Sequence, residues 1–493
     1  MLVPLIALPF KNPLINLLVQ AFFYVFSYLA ATFLLARYML RDASYPLVGA
    51  LSAAAFMSLA PACYRFEFFV ITFYGLWLAL GLGALLLLEL SPTSHVSLRH
   101  IMFAIVFIIL AHWVFIGTAL VLGPLVIFRH LFCGTGQQGP HPQPDATAHL
   151  QPRRRLVWVA NTLSSAIGME LLLLAAGSVA GFMLMRLAPV SLQAAYAGTL
   201  PLGQWGPTCW QLLRNAWDAL APHSWPYFLA GSAAVGLLHL AVPALRRQAG
   251  PSLRAALALA AAGLVWWLFL GTRKWTVVNF CVHRYTLPAV FLLQAGLIIM
   301  AVGPLAAGLG KRGLRIGRAF AVAILLLSIF AGYRLPSLSR VRTTLDRELG
   351  GRTADILESR CDYVAGDYWK VWPAVFHANL VLYERKERKT IWGVTYRSTA
   401  TQHLWPQVPL QDLRVAIPVG EEERAPEFLA TFRFPPLVVV ENRPTVQVLM
   451  PQAVVLRAGQ QMETRYPGVK ETPESKVVVT PYPQSEGEIQ RQN

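Results

Sequence analysis

The sequence predicts a mainly α-helical, polytopic membrane bundle over residues 1–335, followed by a small extracytoplasmic α/β or α+β domain over 336–465. Three observations lead there. The 493 residues are 55% hydrophobic and only 14% charged, where soluble domains carry about a quarter charged residues. The apolar residues gather into runs of span length. The charge is also divided unevenly, because residues 1–335 hold 22 Lys and Arg but six acids, whereas 336–493 hold 20 against 19. A net charge of +17 lodged in short loops between apolar runs is a positive-inside topology signal. It is not the footprint of a nucleic-acid partner.

The chain opens with MLVPLIALPFKNPLIN (1–16), apolar from its second residue and broken by Pro4, Pro9 and Pro13. It lacks the cationic start of a signal peptide and is too short for a span. Apolar runs then predict spans at 14–36, 45–62, 68–90, 157–187, 225–244, 255–272, 286–309 and 319–335. The run 101–128 is too long for one crossing, reaching about 42 Å as a helix against a hydrocarbon core of about 30 Å. The basic residues of loops 37–44, 91–100 and 129–156 place all three on the cytoplasmic side. Two short helices that enter and return, turning near His112–Gly117, satisfy every loop. Loop 245–254 and loop 310–318 are then inside, and 188–224, 273–285 and the tail are outside. Loop 273–285 is basic on the wrong side, with Arg273, Lys274 and Arg284, so something other than topology keeps its charge.

Residues 129–156 read as a flexible cytoplasmic loop rich in Gly, Pro and Gln. Its His130, His141 and His149 lack ligand spacing and point to a disordered loop rather than a metal site. In WQLLRNAWDAL (210–220), helical spacing puts Trp210, Leu213, Trp217 and Leu220 on one face, as in a helix lying at the membrane interface. In the tail, 341–360 is polar and helical, 367–383 fits a helix or a strand, and RVAIPV, FLATFRF, PLVVVEN and TVQVLMP alternate like strands. Residues 466–493 read as disordered. The five cysteines form no CxxC pair, and a disulfide among Cys209, Cys281 and Cys361 stays open.

Three clusters carry candidate chemistry. CVHRYTLPAVFLL (281–293) sets His283, Arg284 and Tyr285 at the head of a span. An arginine fork there suits a phosphate, and Lys274 adds a second cation; a snorkelling anchor with a belt tyrosine is the competing reading. ACYRFEFFVITF (62–73) sets Arg65 and Glu67 in a tight outer turn, where the carboxylate can serve as a base or hold a metal. A local ion pair capping two spans competes with that. ILAHWVF (109–115) puts His112 and Trp113 at the turn of the hairpin, and an ionisable group at membrane depth is a functional candidate. Glu170 shares that status, against a purely structural histidine or acid.

Together these residues resemble bacterial GT-C type glycosyltransferases, the group that includes protein mannosyltransferases and the aminoarabinose transferase of lipid A. Residues 35–89 look like the family's cytoplasmic turn, span, short outer turn with Arg and an acid, and second span. The hairpin around His112 falls where the family often has a Lys or His. HRYTLPAVFLL is similar to the family's RYLLPALPLL. The resemblance implies a GT-C-like bundle in a bacterial inner membrane and transfer of a sugar from a polyprenyl-phosphate-linked donor, among membrane lipids, to an unidentified envelope acceptor on the outer face. Arg284 with Lys274 and His283 would hold the phosphate and Tyr285 would orient it. A carboxylate would act as general base in an inverting displacement, with Arg65, His112 and Trp113 in support. No cofactor is required, and a divalent metal stays open. The family's catalytic Asp lies in a long first outer loop, of which residues 1–16 look like the returning end. Glu67 is the internal substitute as catalytic base, and Asp367, in GDYW, is a second acid within the tail. The expectation is therefore a transferase, or one inactive as written; the alternatives are a non-catalytic membrane scaffold and a transporter of lipid-linked sugars.

Overall fold

The computed structural model describes residues 11–40, 44–64, 73–89, 98–115, 117–133, 152–187, 198–221, 225–278, 281–308, 311–333, 338–395, 398 and 401–458. Two compact units divide at about residue 335, with a short N-terminal stretch, Phe10–Asn16, grouped with the second. Arg65 and Glu67, the central part of the 129–156 loop with His141 and His149, and residues 466–493 lie outside the described residues.

The first unit is helical. α1 (Pro13–Met39) starts where Asn12 accepts the amide hydrogens of Leu14 and Ile15 at 2.9 and 3.3 Å and Pro13 opens the first turn. α2 (Tyr45–Tyr64), α3 (Phe73–Glu89), α4 (Leu98–Val114), α5 (Thr118–Cys133) and α6 (Pro152–Leu187) follow. Then come α7 (Trp205–Leu220), α8 (Trp225–Ala241), α9 (Pro243–Gly271), the short α10 (Lys274–Val278), α11 (Leu287–Gly308) and α12 (Lys311–Tyr333). Among the described residues, four stretches are long and apolar enough to cross a membrane: Pro13–Met39, Ile167–Leu184, Ala249–Gly271 and His283–Ala306. These fall on the runs predicted at 14–36, 157–187, 255–272 and 286–309. Within the runs at 45–62, 68–90 and 225–244, the apolar helix among the described residues is shorter, at Tyr45–Ala55, Gly75–Glu89 and Pro226–Ala241.

The long run does break into a hairpin. α4 ends at Val114, α5 begins at Thr118, and the two flank a turn at Phe115–Gly117. Thr118 secures that turn, donating its hydroxyl to the Phe115 carbonyl at 2.6 Å. The neighbours show that the chain reverses. Phe115 stacks on Trp77 of α3 (5.1 Å between centroids), Leu122 lies against Gly81, and Arg129 pairs with Glu89 at the end of α3. α5 therefore runs parallel to α3, and α4, with Phe107 against Gly83, runs opposite to both. α6 packs parallel to α4, with Gly177 on Ile108 and Gly181 on His112.

The second unit comprises α13 (Leu338–Glu358), α14 (Tyr368–Glu384), α15 (Ala425–Thr431), α16 (Gln452–Ala458) and a five-stranded sheet. The strands are β1 (Tyr363–Ala365), β2 (Trp392–Val394), β3 (Val415–Pro418), β4 (Leu437–Asn442) and β5 (Val446–Pro451), in the order β2-β1-β3-β5-β4. β1 is parallel to both β2 and β3, and β5 is antiparallel to β3 and β4. Alternation along the strands covers both faces. Val364, Ala416, Val446 and Val448 pack under α13 and α14, whereas Tyr363, Ala365, Val415, Ile417 and Leu449 pack with Leu429 and Phe432. Three of the four predicted strands are present. FLATFRF is not one of them, because it lies mostly in α15, whose buried Ala425, Leu429 and Phe432 follow helical spacing. Its apparent alternation was two periods overlapping, and Pro426 in the first turn starts a helix rather than a strand.

α13 and α14 are joined by a polar network around the buried His377 and Thr353. Arg342 grips Glu384 with two bonds at 3.0 and 2.8 Å. His377 Nδ1 meets the Thr353 hydroxyl at 2.7 Å, while Nε2 sits between Arg342 at 2.7 Å and Asp346 at 3.0 Å. A neutral ring accepts from Arg342; an imidazolium would donate to Asp346. Burial is the largest influence on His377 and lowers its pKa, and the bond to Asp346 opposes that. Below about pH 6.5 the unfolded chain binds a proton that the folded ring resists. Stability of this unit is therefore full above that pH and declines as pH falls toward the lowered folded pKa. Hydrogen-exchange protection of α14, corrected for intrinsic rates, should drop from pH 7 to pH 5, and His377→Gln should flatten the dependence.

Candidate functional site

The basic loop 273–285 is built at one end of the helical unit. α9 stops at Gly271, where the chain meets residues 198–200 as a short antiparallel pair. Leu200 N–H donates to Thr272 O at 2.7 Å, and Lys274 N–H donates to Gly198 O at 3.0 Å. The Lys274 stem lies on Gly198, where an added Cβ would come within 2.7 Å of its Cδ. The Arg273 guanidinium covers the Phe269 ring at 4.3 Å. Among the described residues, neither Arg273 nor Lys274 has a carboxylate within 4.0 Å.

The loop returns through Cys281, which takes the left-handed conformation (φ 49°) and donates its N–H to Thr276 O at 2.8 Å. Asn215 of α7 holds the Cys281 carbonyl at 2.9 Å. A 3-10 turn, His283–Thr286, then leads into α11. Arg284 is 6% exposed, and its NH2 donates to the Tyr285 hydroxyl at 3.0 Å. The Tyr285 ring stands edge-on to Trp275 at 4.6 Å, and Trp266 donates its indole N–H to the Tyr285 carbonyl at 2.9 Å. The Trp275–Tyr285 contact brings the two ends of the loop side by side, with Lys274 next to one ring in sequence and Arg284 next to the other. Among the described residues, the buried His283 Nε2 has no hydrogen-bond partner. The arrangement offers cations, one ring nitrogen and a phenol at the head of an apolar helix, a set suited to an oxyanion.

Other predicted residues have different positions. The hairpin tip reaches this end of the bundle, because Phe115 also packs edge-on against Trp266 at 5.7 Å. His112 lies just before the tip but is engaged locally, with Nδ1 at 2.8 Å from Ile108 O and Nε2 at 2.6 Å from the Ser178 hydroxyl. Trp113 is half-buried beside it. Asp367 belongs to the second unit and caps α14, accepting from Trp369 N–H at 2.9 Å, while Arg424 approaches its other oxygen at 3.7 Å. Glu67 and Arg65 lie outside the described residues. Among the described residues, no three His, Cys, Asp or Glu side chains converge as metal ligands.

A second polar group, at the opposite end of the hairpin, escaped the sequence reading. Arg129 is buried, pairs with Glu89, lies 3.9 Å from Glu170 and covers the Tyr38 ring at 3.8 Å. The second oxygen of Glu170 meets Tyr38 OH and His130 Nε2, each at 3.1 Å. Arg129 and His130 read as loop residues, yet both lie within α5, near its C-terminal end. The signal was available in composition: Glu89 and Glu170 are two of six acids in 335 residues, and an acid beside an apolar run needs a partner.

No protein-family model matches the chain, and neither does any curated protein or solved structure.

Proposed function

We propose that the chain is a polytopic protein of a bacterial inner membrane, with a GT-C-like bundle and residues 336–465 outside the cytoplasm. In this reading it transfers a sugar from a polyprenyl-phosphate donor to an envelope acceptor at the outer face. The supporting observation is the loop 273–285. Buried Arg284 is next in sequence to Tyr285, and Lys274 to Trp275, the aromatic pair at the head of an apolar helix where a lipid-linked phosphate would lie. The cations neutralise the phosphate, which makes it a better leaving group. Tyr285 OH, held by Arg284, orients one oxygen. His283 Nε2 has free capacity for another. The acceptor hydroxyl needs a base, and Glu67 is the residue assigned to it.

Transfer from labelled polyprenyl-phosphate sugars in membranes tests this reading. Arg284→Ala removes charge-assisted bonds worth about 1.5–3 kcal/mol, so transfer should fall roughly 10- to 100-fold. Glu67→Ala should abolish transfer while leaving donor binding intact. Transfer that survives both changes would remove the site assignment. Donor binding without any transfer, in wild type as in the variants, would favour the scaffold alternative.

A further inference from the structure

The exposed surface of α7 is divided lengthwise. Thr208, Leu212, Ala216 and Leu220 are buried, so the helix rests on the bundle through this face. Leu220 thus belongs to the inner face and not to the interfacial set that its spacing suggested. The remaining surface carries two strips. On one flank stand Trp210, Leu213 and Trp217, exposed at 66%, 44% and 57%. On the other stand Gln211, Asn215, Arg214 and Asp218, with Gln211 bonded to Asn215 at 2.7 Å and Arg214 3.8 Å from Asp218. A helix surrounded by water has no use for two exposed tryptophans beside a leucine, and a helix within hydrocarbon could not leave an ion pair exposed.

The position of the helix says what covers the apolar strip. Cys209 lies against Gly271, where an added Cβ would come within 2.1 Å of its Sγ, so α7 meets the last residue of the apolar stretch Ala249–Gly271. Asn215 holds Cys281, two residues before the apolar stretch His283–Ala306 begins. Both anchor points mark the same depth, the end of two span-length stretches, so α7 lies across that end. Leu264, Val265 and Leu268 of α9, within two turns of Gly271, are exposed apolar residues as well.

We propose that α7 lies in the interfacial zone of the bilayer, with Trp210, Leu213 and Trp217 in lipid and the Arg214–Asp218 flank in water. Its occupant is the boundary between headgroups and acyl chains, where tryptophan is preferred. Asn215 of the same helix holds the Cys281 carbonyl, so this seating also fixes loop 273–285 at headgroup depth. The inference does not depend on what the loop binds.

The test is tryptophan quenching by brominated lipids in nanodiscs holding one copy of the full chain, comparing wild type with Trp210→Phe/Trp217→Phe. Phenylalanine keeps the strip apolar, and a melting curve checks that the variant is folded. Lipid brominated near the headgroup should quench wild type more, and the double variant should lose a share set by two of 14 tryptophans, about one seventh. An unchanged quenching profile would mean water or protein covers the strip, and would overturn the proposal. Loss confined to lipid brominated near the chain ends would place α7 in the hydrocarbon core and overturn it equally.

Discussion

Arg129→Met should strongly destabilise the helical unit. The substitution leaves Glu89 and Glu170 facing each other through a site that is almost closed to water, and the expected loss is about 3–5 kcal/mol. Arg129 also covers the Tyr38 ring and closes the return arm of the hairpin onto α3, so the lesion acts where α1, α3, α5 and α6 converge. Resistance to denaturing detergent, followed by helical circular dichroism, reads the effect. The cause is the stranded charge and not a missing contact, because buried ion pairs can be exchanged for neutral groups at little cost. Arg129→Met combined with Glu89→Gln and Glu170→Gln should therefore recover most of the loss. If the triple variant is no more stable than Arg129→Met, the cluster does not work as an ion pair.

The second large effect comes from Gly181→Leu. Gly177 and Gly181 form a small-xxx-small pair on α6, the spacing that lets two helices approach closely in a membrane. A Cβ at 181 would fall 2.5 Å from the His112 Cβ, and one at 177 would fall 2.3 Å from Ile108 Cγ2. Neither neighbour can yield without moving α4, and the Ser178–His112 bond between the two glycines would be lost. Overpacking of this kind costs about 1–3 kcal/mol, with the lost bond in addition. Gly168→Leu on the same helix is the control, since a Cβ there meets nothing within 4 Å. Gly→Leu raises helix propensity at both sites, so equal loss at 168 and 181 would mean that the α4–α6 contact does not set the effect.

Legibility in the sequence followed the physics of each element. Span-length apolar runs and a turn inside 101–128 were readable because lipid and the positive-inside bias act on whole segments, and each loop adds to one decision. The strands at 415–418, 437–442 and 446–451 were readable from alternation. The three-residue β1 and β2 were not, being shorter than any periodic signal. FLATFRF failed because a single helical turn followed by an irregular exit imitates alternation, and only the buried Ala425, Leu429 and Phe432 distinguish the two. Arg284 could be picked out as a cation that the sequence-predicted topology puts on the unexpected side. Its Tyr285–Trp275 setting could not, because it depends on how residues 198–200 and α7 hold the loop. Arg129 misled the reading for a related reason: a positive charge at the end of an apolar run looks the same whether it faces water or two buried acids.

The proposed binding of a lipid-linked phosphate by loop 273–285 is checked by affinity measured with and without that phosphate. Purified protein in nanodiscs is titrated with a polyprenyl phosphate and, separately, with the polyprenol of equal length. Wild type should prefer the phosphate by roughly 10- to 100-fold, the range expected of charge-assisted bonds to one arginine fork, and Arg284→Ala should erase that preference without changing the affinity for polyprenol. Equal affinity of the wild type for both lipids, or a preference that persists in Arg284→Ala, would contradict it.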